Sequence, residues 1–243
     1  MTATLVPASV RNICRPPASR RSNGPRILVF GCARSGTTLL VNLLRTFSGV
    51  VIRDGEHCTA DLLDEPEPGW VAVKRTAHCA EHLLADLAIL RSQVWILDIV
   101  RDPRDVVTSV LTRFPGYYCG YDRWDRDLRV SEALAGRHSR YLRIRYEELV
   151  RRPNDLQRDI ADILGLTSAV AFSDFVQIMP TLPVPAVEAL GGVRPLDPRR
   201  IGRWQHHLTR VQEQLGDHPR MEDTLQWMGY PPTTDPVRKD SRH

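Results

Sequence analysis

Lysine is nearly missing from this chain. Of 33 basic residues among 243, only Lys74 and Lys239 are lysines. Arginine is the default cation, so an internal lysine at the end of an apolar run, as Lys74 is, becomes a candidate for chemistry. No run of eighteen apolar residues occurs, which leaves no stretch long enough for a membrane-spanning helix. Paired cysteine motifs are missing too. The five cysteines (Cys14, Cys32, Cys58, Cys79 and Cys119) are odd in number and form no CxxC, which favours free thiols in a reducing, cytoplasmic compartment over a disulfide scaffold. His57-Cys58 and His78-Cys79 are adjacent pairs, whereas zinc ligand pairs are normally separated by about two to four residues, so no metal is expected. Nor is there an excess of one charge. The net +4 is too balanced to argue for nucleic acid, and is compatible with a local anion site.

What is present is ordinary for a globular protein: 42% hydrophobic and 26% charged residues, and a length that suits one α/β domain. Residues 1–25 carry Arg11, Arg15, Arg20 and Arg21 with no acidic side chain and no apolar targeting core, and read as a disordered lead. Residues 231–243 read as a flexible tail, leaving 26–230 as the domain. Within it, short apolar runs predict strands at 26–31, 50–53, 70–74, 94–100 and 141–145. Amphipathic stretches predict helices at 37–47, 79–91, 103–114, 121–134, 154–164 and 222–228. This interleaving predicts a three-layer, P-loop-like α/β fold, a central parallel sheet flanked by helices on both faces. Ligands of such sheets bind beyond the carboxyl ends of the strands, where Gly31 to Thr38, Glu56, Lys74, Arg101 and Tyr146 all fall.

The stretch "ILVFGCARSGTTLL", residues 27–40, reads as a strand, a glycine-bounded loop and a helix start. Gly31 and Gly36 permit tight turns and close approach of an anion to main-chain N–H groups, and the helix beginning at Thr37 and Thr38 adds free amides and its dipole. The Gly-x-x-x-x-Gly spacing is that of a nucleotide-binding loop, yet Thr37 stands where the lysine belongs and Arg34 sits inside the loop. Arg34, Ser35, Gly36, Thr37 and Thr38 therefore suit an anion handled by arginine, amides and hydroxyls. A second segment, "ILDIVRDPRDVVTSV", places Arg101 at a strand end and Asp102-Pro103 at a helix start. Ser109 falls about two helical turns further on, facing the helix entrance, and Asp105 is read as a helix-stabilising acid. Trp124 and Leu128, four apart, read as helix core, although "TRFPGYYCGYDRWDRDLRV" around them also suits an acceptor pocket or lid. The proline- and glycine-rich "TLPVPAVEALGGVRPLDP" suits a segment closing over ligands.

Together these segments resemble the sulfotransferases that use 3′-phosphoadenosine-5′-phosphosulfate (PAPS). Their "RSGTT" loop is matched by Arg34–Thr38 and their "R-x-P-x-D-x-x-x-S" stretch by Arg101, Pro103, Asp105 and Ser109. The likeness runs on through "YLRIRYEELVRRP" to "IGRWQHHL", and is to the bacterial and Golgi-like branches more than to the cytosolic phenol and steroid enzymes. The resemblance implies that the loop binds the 5′-phosphosulfate, that Arg101 and Ser109 bind the 3′-phosphate, and that Tyr146 touches adenine. It also implies that "DPRRIGRW" contributes Arg200 and Gly202, with Arg199 and Arg203 as alternatives to Arg200.

Sulfuryl transfer to a small-molecule or conjugate acceptor, with 3′,5′-ADP as product and no metal, is the implied reaction. It needs a base, for which Glu56 is preferred over His78 and His57. Glu56 lies in "RDGEHC", resembling a "GEE" segment that supplies the base in tyrosylprotein sulfotransferases; His78 follows Lys74 by four residues, where cytosolic relatives keep two. Lys74 would neutralise the leaving oxygen and Arg34 the sulfuryl group. A divergent P-loop small-molecule kinase and a non-catalytic nucleotide-binding protein are the competing readings.

Overall fold

Arg26–Gly31 forms β1, and all six residues are buried. Such a continuous apolar run belongs in the middle of a parallel sheet covered on both faces. Alternation then sorts its side chains: Ile27 and Val29 enter one hydrophobic cluster, Leu28 and Phe30 another on the opposite face. The computed structural model describes residues 24–57, 62, 68–76, 94–110 and 115–233. The expected helix at 79–91, His78, Cys14, Cys58, Cys79, and most of the expected lead and tail lie outside the described residues.

Four more strands complete the sheet: β2 (Val50–Glu56), β3 (Trp70–Thr76), β4 (Val94–Val100) and β5 (Tyr141–Arg145). Their order is β2-β3-β1-β4-β5 and every pairing is parallel. The helices are α1 (Thr37–Leu43), α2 (Pro103–Val107), α3 (Tyr121–Ala135), α4 (Tyr146–Arg151), α5 (Pro153–Leu164), α6 (Val184–Leu190), α7 (Leu208–Asp217) and α8 (Arg220–Trp227). One face of the sheet packs against α1, α4, α5 and the segment from Phe172 to Leu190, the other against α3. This is the expected three-layer α/β architecture. β1 is central, with β3 on one side and β4 on the other, so the loop after β1 occupies the point where the strand order reverses.

Several elements differ from the sequence expectation. The helix expected over 37–47 ends at Leu43; a 3-10 turn, Leu44–Thr46, follows, and Phe47 is extended. Thr46 is diverted, its hydroxyl donating to the Leu43 carbonyl and accepting from Gln157. The helix expected over 103–114 ends at Val107, where Thr108 Oγ1 donates back to the Arg104 carbonyl at 2.7 Å. Val106, Val107 and Thr108 are a β-branched run, and such a back-bond competes with helix continuation. Ser109 is therefore reached through a turn, not along a helix face. β2 and β3 extend beyond the expected 50–53 and 70–74. The β2–β3 register shifts between Ile52 and Glu56, a bulge that brings Glu56 opposite Lys74. Asp98 lies inside β4, where its carboxylate accepts from Ser131, Tyr141 and Arg143. Trp124 and Leu128 are core residues of α3, as expected.

Candidate functional site

The loop between β1 and α1 owes its shape to three residues with positive φ: Gly31 (150°), Arg34 (73°) and Gly36 (108°). Arg34 is the only non-glycine in that region among the described residues, a conformation worth on the order of 1–3 kcal/mol of strain that surrounding contacts must sustain. Its guanidinium Nε donates to Ser109 Oγ at 2.9 Å, and another nitrogen donates to the Val110 carbonyl at 3.2 Å. Gly36 is obligatory for a second reason: a Cβ there would stand 2.8 Å from the Tyr146 ring. The Ser35 amide donates to the Cys32 carbonyl, and Ser35 itself is buried away from the cleft described below.

Arg101, at the end of β4, spans the site. One guanidinium nitrogen donates to the Arg34 carbonyl at 3.3 Å and another to the Arg200 carbonyl at 2.9 Å, while the plane lies 4.3 Å from the Tyr146 ring centroid. Asp105 faces it at 3.5 Å. Burial pulls the Arg34 guanidinium below its ordinary value and the nearby charge of Arg101 adds to this. Two cations held this close suit an anion between or beside them.

The structure overturns the reading of Asp105 as a simple helix acid. Its carboxylate accepts the main-chain N–H of Gly202 at 2.9 Å and of Trp204 at 3.0 Å, fastening a distant segment to α2. The Trp204 ring lies under the Arg104 guanidinium, itself buried and doubly bonded to Asp102. Gly202 thus spends its amide on Asp105 and does not line the cleft. Of the three alternatives for the carboxyl-terminal arginine, Arg200 lines the cleft. Arg199 is 91% exposed and paired to Asp197, and Arg203 lies away from the lining.

A cleft runs from the loop along these residues, with about 740 Å³ of space including its solvent-open mouth. Arg34, Gly36, Thr37, Thr38, Arg101, Tyr146 and Arg200 line it, and Val150, Phe175, Met179 and Leu190 add an apolar wall. Arg194, which sequence reasoning missed, projects into the same cleft and burial holds its guanidinium below the ordinary value. The signal was available: Arg194 is an isolated cation in the otherwise apolar and acidic stretch "LPVPAVEALGGVRPL".

On the other flank of the loop, Lys74 Nζ donates to Thr38 Oγ1 at 2.9 Å and pairs with Glu56 Oε1 at 2.9 Å. Lys74 is 16% exposed and Glu56 47% exposed, so the carboxylate remains open to solvent beside the loop. His57 bonds through Nε2 to the Asp54 carbonyl, within its own turn. Among the described residues no group of three or more His, Cys, Asp or Glu is arranged to hold a metal ion, and no helix is long and apolar enough to cross a membrane.

No protein-family model matches the chain, and no curated protein matches it by sequence. Solved structures do match. The sulfotransferase domain from the curacin biosynthetic pathway aligns over 87% of this chain and 99% of its own, with a TM-score of 0.61 at 17% identity. The sulfotransferase domain from the olefin synthase of Synechococcus PCC 7002 aligns over 78% of this chain and 90% of its own, with a TM-score of 0.56 at 18% identity. The chain has the sulfotransferase fold.

Proposed function

We propose that this chain is a PAPS-dependent sulfotransferase, moving the sulfuryl group of PAPS directly to a hydroxyl or amine of a small-molecule or conjugate acceptor and releasing 3′,5′-ADP. One observation carries the reading. The loop lacks its own lysine, and Lys74 reaches it from β3, touching Thr38 and Glu56 at 2.9 Å each. A cation, a carboxylate and an anion-holding loop thus meet at one point. Lys74 reaches Thr38, and Glu56 reaches Lys74, from outside the cleft, whose lining includes neither.

The described residues fit this donor. Loop amides and the start of α1 suit its phosphosulfate, and Arg101, with Arg200 and Arg194 in the same lining, its 3′-phosphate; Ser109, outside that lining, would join them through its bond to Arg34. Tyr146 and the apolar wall suit an adenine ring. In the reaction the acceptor oxygen forms a bond to sulfur as the bond from sulfur to the bridging phosphate oxygen breaks. Glu56 takes the acceptor proton, Lys74 neutralises the departing oxygen, and Arg34 with the loop amides stabilises charge on the sulfuryl oxygens.

The test is binding and transfer without metal. At a 3′,5′-ADP concentration of about 100 times its Kd, linkage stabilises the fold by about 2.7 kcal/mol. Radiolabelled PAPS should then pass its sulfate to a hydroxyl-bearing compound in a mixed acceptor panel. Stabilisation by ATP with magnesium and not by 3′,5′-ADP would instead establish the kinase reading. Donor binding with neither transfer nor hydrolysis would establish a non-catalytic nucleotide-binding protein.

A further inference from the structure

Two thiols meet beneath the anion-holding loop. Cys32, the residue after β1 and two before Arg34, has its Sγ 3.6 Å from the Sγ of Cys119, which lies 87 positions further along the chain and just ahead of α3. Both are buried and both are free. The Cys119 thiol also faces the Gly120 carbonyl at 3.5 Å. Nothing in the proposed transfer uses either sulfur, and an apolar residue would fill each place in the surrounding cluster of Val106, Tyr121, Trp124 and Met221 equally well. The chain at Cys119 is tied to the loop a second time. The Tyr118 amide donates to the Ser109 carbonyl, and Ser109 Oγ accepts from Arg34.

We propose that Cys32 and Cys119 are a reversible oxidation site, whose joining into a disulfide weakens the grip of the loop on its anion; the ligand named in the test rests on the sulfotransferase reading. The chemistry balances with hydrogen peroxide as oxidant. The Cys119 thiolate attacks the peroxide, forming a sulfenic acid and releasing water once the leaving oxygen is protonated. The Cys32 sulfur then attacks the Cys119 sulfur, forming the S–S bond and expelling a second water. Two electrons leave the thiols and reduce one peroxide to two waters. Cys119 suits the attacking role. The thiol of Cys32 donating to it, with Arg123 and Arg126 nearby, lowers its pKa despite burial and the opposing carboxylate of Asp127.

The consequence for the loop is geometric. A covalent S–S bond is about 2.05 Å long, so joining the sulfurs closes roughly 1.5 Å between Cys32 and Cys119. That movement is applied two residues from Arg34, whose positive φ and bond to Ser109 depend on the present placement. Misplacement by about 1 Å is enough to remove on the order of 10²-fold from a built site.

The experiment treats the full chain with hydrogen peroxide, then maps crosslinked peptides by mass spectrometry. In parallel, 3′,5′-ADP affinity and hydrogen exchange of loop amides 33–38 are measured in the reduced, oxidised and dithiothreitol-restored protein. The expected result is a Cys32–Cys119 crosslink, altered loop exchange, and affinity weakened by about tenfold or more, all reversed by dithiothreitol. Cys119→Ala should bind 3′,5′-ADP within about twofold of wild type and lose the peroxide response. A crosslink between other cysteines, or none, overturns the proposal, as does a Cys32–Cys119 crosslink that leaves affinity and exchange unchanged. If the reduced protein does not bind 3′,5′-ADP, the sulfotransferase reading fails by itself. The oxidation site is then judged on the crosslink and the exchange of residues 33–38, which need no ligand.

Discussion

Replacing Asp105 by asparagine tests whether the carboxyl-terminal segment is built into the donor site or merely covers it. The substitution keeps shape and removes charge. One carboxylate oxygen becomes an NH₂ group facing either the Gly202 or the Trp204 amide, so one of the two bonds at 2.9 and 3.0 Å is lost and donor meets donor. The other survives as a neutral bond, and Arg101 loses the carboxylate 3.5 Å away. A hydrogen bond to a charged group contributes about 1.5–3 kcal/mol and a neutral one about 1 kcal/mol. Burial already disfavours the charged form of Asp105, holding its pKa above the ordinary value, and this returns part of the loss. The net expectation is about 2–3 kcal/mol, far above the roughly 0.3–1 kcal/mol of an acid merely placed near a helix start. For a chain of this size that lowers Tm by about 4–12 °C. Affinity for 3′,5′-ADP should fall with it, by about tenfold or more, because Arg101 is bonded to the carbonyl of Arg200 in the same segment. Differential scanning fluorimetry and isothermal titration calorimetry read the two effects separately. An Asp105→Asn variant with wild-type Tm and affinity would refute the clamp. A lowered Tm with unchanged affinity would refute its connection to the donor site.

The remaining predictions divide the site by role. Glu56→Gln should reduce turnover by about 10²–10⁴-fold while leaving 3′,5′-ADP affinity within about twofold, since its carboxylate faces Lys74 outside the cleft; activity retained in this variant would remove Glu56 as the base. Lys74→Met should lower kcat more than donor affinity, and Arg101→Ala should do the reverse, losing a charge-assisted contact; steady-state kinetics with titration of 3′,5′-ADP separates them. Gly36→Ala combines φ of 108° with a Cβ placed 2.8 Å from the Tyr146 ring, so both Tm and donor binding should drop measurably. Burial holds the Glu147 carboxyl above its ordinary value despite the bond from the Asp102 amide. A raised acid binds more protons folded than unfolded, so its contribution to stability is full below the ordinary value and is lost as pH rises through the raised one. Glu147→Gln should therefore flatten the fall in urea midpoint as pH rises above the ordinary carboxylate range, and an unchanged slope would rule this out.

β1 and β4 were legible to the residue because each is a nearly continuous apolar run, which is what burial on both faces of a parallel sheet demands, while β5, YLRIR, is a mostly half-buried edge strand whose apolar residues are interrupted by arginine. β2 and β3 were legible only in their apolar parts. Their polar ends beyond the expected bounds, Asp54 to Glu56 and Arg75 to Thr76, are held by ladder bonds and a bulge that no apolar pattern marks. The glycine-bounded loop announced its backbone but not the strain at Arg34, since a positive φ at arginine has no sequence signature. Helix ends at Leu43 and Val107 were missed for a shared reason: Thr46 and Thr108 turn their hydroxyls back on main-chain carbonyls, a local choice that competes with a propensity-based reading. The clamp from Asp105 to residues 202 and 204 joins positions about a hundred apart, and only the fold brings them together.

Under the proposed function, the place of Lys74 accounts for a loop without a lysine of its own. A lysine at position 37 would rise from the first turn of α1 into the loop from within. Here the cation comes from β3 and arrives with a carboxylate, because the β2 bulge sets Glu56 opposite Lys74. The strand order puts β3 and β4 on opposite sides of β1. The two flanks of the loop are therefore served by different strands. On the β4 side Arg101, stacked on Tyr146, offers charge and aromatic surface, while the carboxylates there are engaged, Asp105 by two amides and Asp197 by Arg199. On the β3 side a half-exposed carboxylate sits beside an ammonium that already touches the loop. In the proposed reaction a nucleotide gripped on the β4 side would present its terminal group toward the β3 side, where Glu56 and Lys74 stand together. In the proposed reaction gripping and transferring thus belong to separate strands, and the swap of an intrinsic lysine for Lys74 is what gives the transferring side its partner, Glu56.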